Sequence, residues 1–172
     1  IVLAIVVFTL MSTWKRGRQE LYAIHTGRTL PLELFLAGLE RSAPVRVPGT
    51  AVFMTSSATG TPVVLLHHLK HNKTMHETVV LLSVETRGIP AVAAEERVTL
   101  ASLGHGIYRI VASYGFMQSP DVPALLASVA DRGVSFQPMS TSYYLGHERL
   151  VLTGDAKLPR WRKTLFAVMS RN

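Results

Sequence analysis

The stretch "HHLKHNKTMHE", residues 67–77, holds the densest polar chemistry in the chain. On a helix, His67 and His71 stand four apart and share a face. Two imidazoles at that spacing can hold zinc, and His76 and Glu77 would complete a shell. Two features argue against it. A metalloprotease helix places Glu directly after its first His, and here His68 takes that position. His67, His68, Lys70, His71 and Lys73 also make a basic face, which repels a cation. The reading is therefore no metal, no cofactor and no catalytic residue. His67, Lys70, His71 and Lys73 are the candidates for contact with an anion, whether a phosphate or an acidic partner. A stand-alone His-based metal hydrolase is the weaker alternative.

No other segment supports a named reaction. "SLGHGIYR", residues 102–109, has glycines but neither Walker nor dinucleotide spacing, and no helix start follows them. It reads as a hairpin turn. There is no G-x-S-x-G elbow, and the paired carboxylates Glu95 and Glu96 fall in a polar loop. Tyr114, Phe116, Tyr143 and Tyr144 sit in β-rich runs without interleaved basic residues, so they read as core and not as a nucleic-acid surface. The absence of cysteine excludes disulfides, thiolate metal sites and a Cys nucleophile. The net charge of +7 favours anionic neighbours without choosing among them. A hydrophobic content of 48% excludes general disorder.

These residues need elements to hold them. Leu32, Phe35, Leu36 and Leu39 recur at helical spacing before Pro44. A Pro-Gly turn leads into a strand at Ala51–Met54. "TPVVLLHHLKHN" is a helix with Thr61 as its cap, Pro62 in its first turn and Asn72 closing it. "ETVVLLSVET" is dense in β-branched and apolar residues, as in a strand buried on both faces. "ERVTLASLGHGIYRIVASYGF" is a hairpin. "SPDVPALLASVADRG" is a helix with Ser119 or Asp121 at its start and Gly133 after its end. "STSYYLGHERLVLT" is extended, with a turn or bulge at Gly146. The closing "LPRWRKTLFAVMSRN" is a basic amphipathic helix with Trp161, Leu165, Phe166 and Met169 on one face, and Trp161 and Phe166 are expected to point inward. The order predicts an α+β (or α/β) layered fold, a mixed sheet with helices packed on it.

The opening "IVLAIVVFTLMSTWKRGR" stands apart. Ile1–Met11 is apolar except for Thr9, which is too short to span a bilayer of about 20 residues. A secretory signal carries its charge before the apolar run, not after it. The order apolar run, Trp14, then Lys15, Arg16 and Arg18 fits the cytoplasmic end of a membrane helix that begins before Ile1. Residues 1–14 are read as that helix end, 15–45 as a basic juxtamembrane segment with an amphipathic helix, and 46–172 as a cytoplasmic domain.

Taken together, "TWKRGR", "RVPGTAVFMTS", "LLHHLKHNKTMHE", "YRIVASYGFMQSPDVP", "TSYYLGHERL" and "WRKTLFAVMSRN" resemble the C-terminal part of the KUP (HAK/KT) potassium uptake transporters. The resemblance covers residues 8–172. It departs at His68, where many relatives would carry Asn. It implies a non-enzymatic cytoplasmic domain of a proton-coupled potassium importer in the cell membrane, the inner membrane in bacteria. K+ and H+ would be the transported ions of the whole protein. The implied partners are the protein's own transmembrane core and a second copy in a homodimer, with a cyclic dinucleotide as an alternative regulatory ligand and no nucleic acid. In such folds the ion site lies near the bilayer midplane. No ion-coordinating residue is therefore implied at any position here, and the domain's implied role is regulation or assembly.

Overall fold

A computed structural model describes residues 1–28, 30–56, 59–134, 136–146 and 159–170. In chain order its elements are α1 (Val2–Arg28), α2 (Leu32–Ser42), β1 (Val45–Thr55), α3 (Val63–Asn72), β2 (Thr74–Arg87), β3 (Val98–Gly104), β4 (Ile107–Gly115), α4 (Val122–Ser128), β5 (Thr141–Tyr144) and α5 (Arg160–Met169). They fall into two units, Leu30–Gly146, and Ile1–Thr29 with His147–Asn172.

In the Leu30–Gly146 unit the strands form one mixed sheet in the order β3-β4-β2-β1-β5. β2 pairs in parallel with β1 and β4, β5 pairs in parallel with β1, and only the β3–β4 hairpin is antiparallel. Side chains on a strand alternate between faces, and the core divides accordingly. Val52, Val80, Leu82, Ile110 and Ala112 pack with Leu125 and Leu126 of α4 on one side. Ala51, Phe53, Val79 and Leu81 pack with Phe35 and Leu39 of α2 and Leu65 of α3 on the other. The sheet is thus sandwiched between helices. Its central strand β2 has Val79, Val80, Leu81 and Leu82 all buried, as expected of a strand covered on both faces.

Three local expectations are corrected. The Pro48-Gly49 pair does not precede β1 but lies inside it, where the register to β2 shifts between Val47 and Thr50. Pro lacks the donor for a regular ladder and Gly49 takes φ +103, so the pair makes a bulge within the strand instead of a turn before it. Thr61 does not cap α3. Pro62 holds that position without a side-chain cap, while the buried Thr61 hydroxyl has no hydrogen-bond partner among the described residues. Asn72 does not close α3 either. Lys73 does so at φ +57, its N–H donating to the Leu69 carbonyl. At α4 the expectation stands: Asp121 accepts a hydrogen bond from the Ala124 N–H at 3.0 Å. Of the predicted extended run after Ser140, Thr141–Tyr144 form β5, and residues 147–153 lie outside the described residues.

In the other unit α1 continues through Trp14 and the basic cluster without a break. The large apolar side chains from Ile1 to Met11 are exposed. No helix among the described residues is long and apolar enough to cross a membrane. Thr13 and Gly17, one turn apart, are buried, and Phe166 of α5 packs here, its ring 5.6 Å from that of Trp14. A Cβ on Gly17 would run into the Phe166 ring, so the missing side chain sets the helix approach.

Phe166 is buried as expected, but Trp161 is 55% exposed. The reason is the helical period. Five residues at 3.6 per turn put Trp161 about 140° from Phe166 around the axis, so packing one against α1 turns the other outward.

Candidate functional site

The basic residues singled out in the sequence lie on α3 and just after it. His67, Lys70, His71 and Lys73 are all exposed. The His67 and His71 rings stack at 6.1 Å between centroids, as residues one turn apart should. No ion pair among the described residues engages Lys70 or Lys73. α3 connects the parallel neighbours β1 and β2, so it runs back against the strands. Its last turn therefore sits at the amino-terminal edge of β2.

His68 does not belong to that face. It follows the buried Leu65 by three positions, which places it on the half-buried stripe of α3. Its ring lies 4.8 Å from Tyr144 and 5.7 Å from Phe53. His76, on β2, approaches the same group, with its ring 6.3 Å from both His68 and Tyr144. Phe53 and Tyr144 stack at 4.6 Å with their planes 11° apart. The imagined zinc shell is thus split. His67 and His71 face solvent, His76 joins His68 in an aromatic cluster, and Glu77 is exposed. No group of three His, Asp or Glu among the described residues is arranged to hold a metal ion.

The charge state follows from this placement. Burial holds the His68 imidazole below its ordinary value, and burial together with the nearby His68 does the same for His76. His68 Nδ1 lies 3.0 Å from the Asn72 amide nitrogen, while His68 Nε2 and His76 Nδ1 are buried without a hydrogen-bond partner among the described residues. Protonation would place a cation in an apolar, aromatic setting. The apolar spacing Leu65, His68, Leu69 was the sequence signal that could have removed His68 from the basic face.

A pH effect follows, and its sign is fixed. The unfolded chain binds protons that the folded rings refuse, so stability holds above the ordinary imidazole value of about 6.5 and declines as pH falls through and below it. The denaturant midpoint of the Leu30–Gly146 unit is expected to drop between about pH 7.5 and about pH 5.5. A His68→Gln/His76→Gln variant should show a smaller drop over that window. Equal drops in variant and parent would assign the effect to other groups.

Two arginines tie the unit's loops to the sheet. Arg46 of β1 donates to the His76 carbonyl at 2.8 Å and to the His105 carbonyl at 2.7 Å. Arg109 of β4 donates to the Gly60 carbonyl at 2.6 Å. Beside Arg46, an open cleft of about 440 Å³ is lined by Leu39, Glu40, Ala43, Pro44, Arg46 and His105. His105 and Glu40 approach to 3.4 Å there with both side chains largely exposed, a geometry that contributes little.

A layered α+β domain of this kind, with an exposed basic helix face and no group of metal-ligating side chains among the described residues, takes its class from its relatives. Residues 48–172 match the family described as "K+ potassium transporter C-terminal domain", and the chain belongs to that family. It is 54% identical over 171 residues to the "Probable potassium transport system protein Kup" of Anaeromyxobacter sp. (strain Fw109-5), covering 96% of this chain and 26% of that protein. It is 49% identical over 172 residues to the protein of the same name from Myxococcus xanthus (strain DK1622), covering 100% of this chain and 26% of the relative. A "Probable potassium transport system protein Kup 1" from Geobacter sulfurreducens is 48% identical over 167 residues, with 96% and 26% covered. The chain spans about a quarter of the length of these relatives. No solved structure is significantly similar to it.

Proposed function

We propose that this chain is the cytoplasmic C-terminal part of a proton-coupled potassium importer, with a regulatory or assembly role. On this reading the ion pathway lies in other segments of the protein. The observation that carries it is the family match together with the order of features along α1. An exposed apolar run is followed directly by Trp14 and by Lys15, Arg16 and Arg18, the sequence of a membrane helix leaving the bilayer on its positive side. The exposure of that run supports the reading, because a helix with apolar side chains on every side requires an apolar environment. The domain would act through contacts with the membrane core or with a twin subunit.

Complementation tests this. The intact gene is expected to restore growth of a potassium-uptake-deficient bacterium at low potassium. A version ending at Arg18 should alter the regulation or the assembled amount of the transporter. Failure of the expressed intact gene to restore uptake would overturn the transporter reading.

A second reading rests on the exposed face of α3. His67, Lys70, His71 and Lys73 gather there, and such a face attracts anions. It would receive an anionic ligand, with a cyclic dinucleotide as one form. Calorimetry on the purified protein with a cyclic dinucleotide and with ATP decides it. The absence of both heat and a thermal shift at about millimolar ligand, a weak-binding limit near −4 kcal/mol, would remove it.

A further inference from the structure

α5 carries three cations, Arg160, Arg162 and Lys163, in its first turn and no carboxylate anywhere in its length. The positive end of the helix dipole makes that turn the least favourable place for cations. The helix alone therefore gives no reason for Arg160 and Arg162, and an external anion would. Trp161 stands among them, 55% exposed, with the Arg162 guanidinium 5.1 Å above its ring. The same pairing occurs on α1, where Arg18 lies 5.9 Å over Trp14, itself 39% exposed.

The packing joins α5 to the turn of α1 that carries the Trp14 and Arg18 pair. Phe166 of α5 lies against Trp14 and Gly17 of α1, which at about 1.5 Å per residue lie within one turn. That turn is where the apolar run of α1 ends and its basic cluster begins. Glu20 is the one carboxylate among the described residues of this unit, which also carry Lys15, Arg16, Arg18, Arg160 and Arg162. Aromatic rings with a polar edge and cations together are the residues that settle at a bilayer's headgroup level.

We propose that the exposed side of α5, Trp161 with Arg160 and with the Arg162 guanidinium that reaches over its ring, docks onto the anionic lipid headgroups of the membrane that α1 enters. The inference rests on the reading of residues 2–11 as a membrane-inserted end. Its occupant is chosen by charge complementarity and by continuity with that apolar run. α5 then acts as a lateral strut. Phe166 locks it to α1, and the exposed side with Trp161 holds the lipid surface. Folding alone leaves Trp161 exposed, and docking would cover it.

Flotation with vesicles tests this on the full chain, diluted from detergent into phosphatidylcholine or into phosphatidylcholine with about one-third phosphatidylglycerol, an anionic surface on which each cation is worth about fivefold in binding. Tighter binding to the anionic vesicles is expected, weakened by salt. Arg160→Gln/Arg162→Gln should lose about 30-fold of the anionic partitioning and none of the binding to phosphatidylcholine, with the helical circular dichroism unchanged. Arg160→Lys/Arg162→Lys should keep the anionic preference. In a Trp14→Phe background, Trp161 emission should shift to the blue only with anionic vesicles. Equal binding to both vesicle types, or an unchanged anionic preference in the Gln variant, would overturn the docking surface while leaving the insertion of α1 standing. No binding to either vesicle would overturn the insertion and the docking together.

Discussion

Truncating Phe53 to alanine is expected to lower the unfolding free energy of the Leu30–Gly146 unit by about 3–5 kcal/mol. Phe53 is fully buried near the carboxyl end of β1. Its ring stacks on Tyr144 of β5 and meets the edge of His68 on α3. Phe35 and Leu39 of α2 and Leu65 of α3 belong to the same cluster. One side chain therefore joins an edge strand, a central strand and two helices. Its loss removes the apolar burial and leaves a cavity that rigid strands on either side cannot close. A domain of ordinary stability has about 5–15 kcal/mol to lose, so the variant should be visibly destabilised. The readout is available because both tryptophans, Trp14 and Trp161, belong to the other unit, while Tyr108, Tyr114, Tyr143 and Tyr144 belong to this one. The near-ultraviolet tyrosine signal, to which this unit contributes four of the five tyrosines, should move its denaturant midpoint. Phe53→Leu, which keeps most of the volume, should cost less than about 1.5 kcal/mol. A tyrosine transition unmoved by Phe53→Ala would remove Phe53 from the core.

The features most legible in the sequence were those with a local cause. The continuous apolar run at Val79–Leu82 has only one stable place, between two layers, and it lies there. The Gly104-His105-Gly106 hairpin and the Asp121 cap are set within a few residues of chain. What escaped depended on partners remote in sequence. Pro48-Gly49 looks like a turn until β2 is known to pair on both sides of it. Trp161 and Phe166 are both large aromatics in one amphipathic helix, and the approach of Gly17 decides that Phe166 is the one that faces α1.

The candidate site divided in the same way. His67, Lys70, His71 and Lys73 share an exposed face by helical spacing alone. Separating His68 from them required β5, because Tyr144 is the residue that draws His68 and His76 into one cluster. The exposed helix face and the half-buried imidazoles also differ in charge. The outer face carries Lys70 and Lys73, whereas the two half-buried rings resist protonation. Any anion attracted to α3 is therefore drawn by its outer face and not by the aromatic cluster beneath it.

A second large effect is expected at Gly106, and the neighbouring Gly104 supplies its control. Both hold left-handed backbone, at φ +83 for Gly104 and φ +71 for Gly106. An alanine at either position costs about 1–2 kcal/mol for that conformation. Space separates them. A Cβ on Gly104 meets nothing within 4 Å, whereas one on Gly106 runs into the carbonyl oxygen of Glu77. That oxygen belongs to the backbone of β2 and cannot rotate away as a side chain would. The Gly106 carbonyl also accepts from the Val79 N–H at 2.8 Å, where the β2–β4 register begins with Val79 opposite Ile107. Relieving the clash must therefore shift the first rungs of a central parallel pair, and Arg46, which donates to both the His76 and His105 carbonyls, resists that shift from the other side. Overpacking of this kind adds about 1–3 kcal/mol, so Gly106→Ala should cost about 2–5 kcal/mol in all. Paired denaturation curves of the two alanine variants measure the difference directly. A larger loss for Gly106→Ala fixes the close approach of the hairpin turn to β2 as the cause. Equal losses would reduce both glycines to their backbone conformation and would mean that the turn can lift away from Glu77 at little cost.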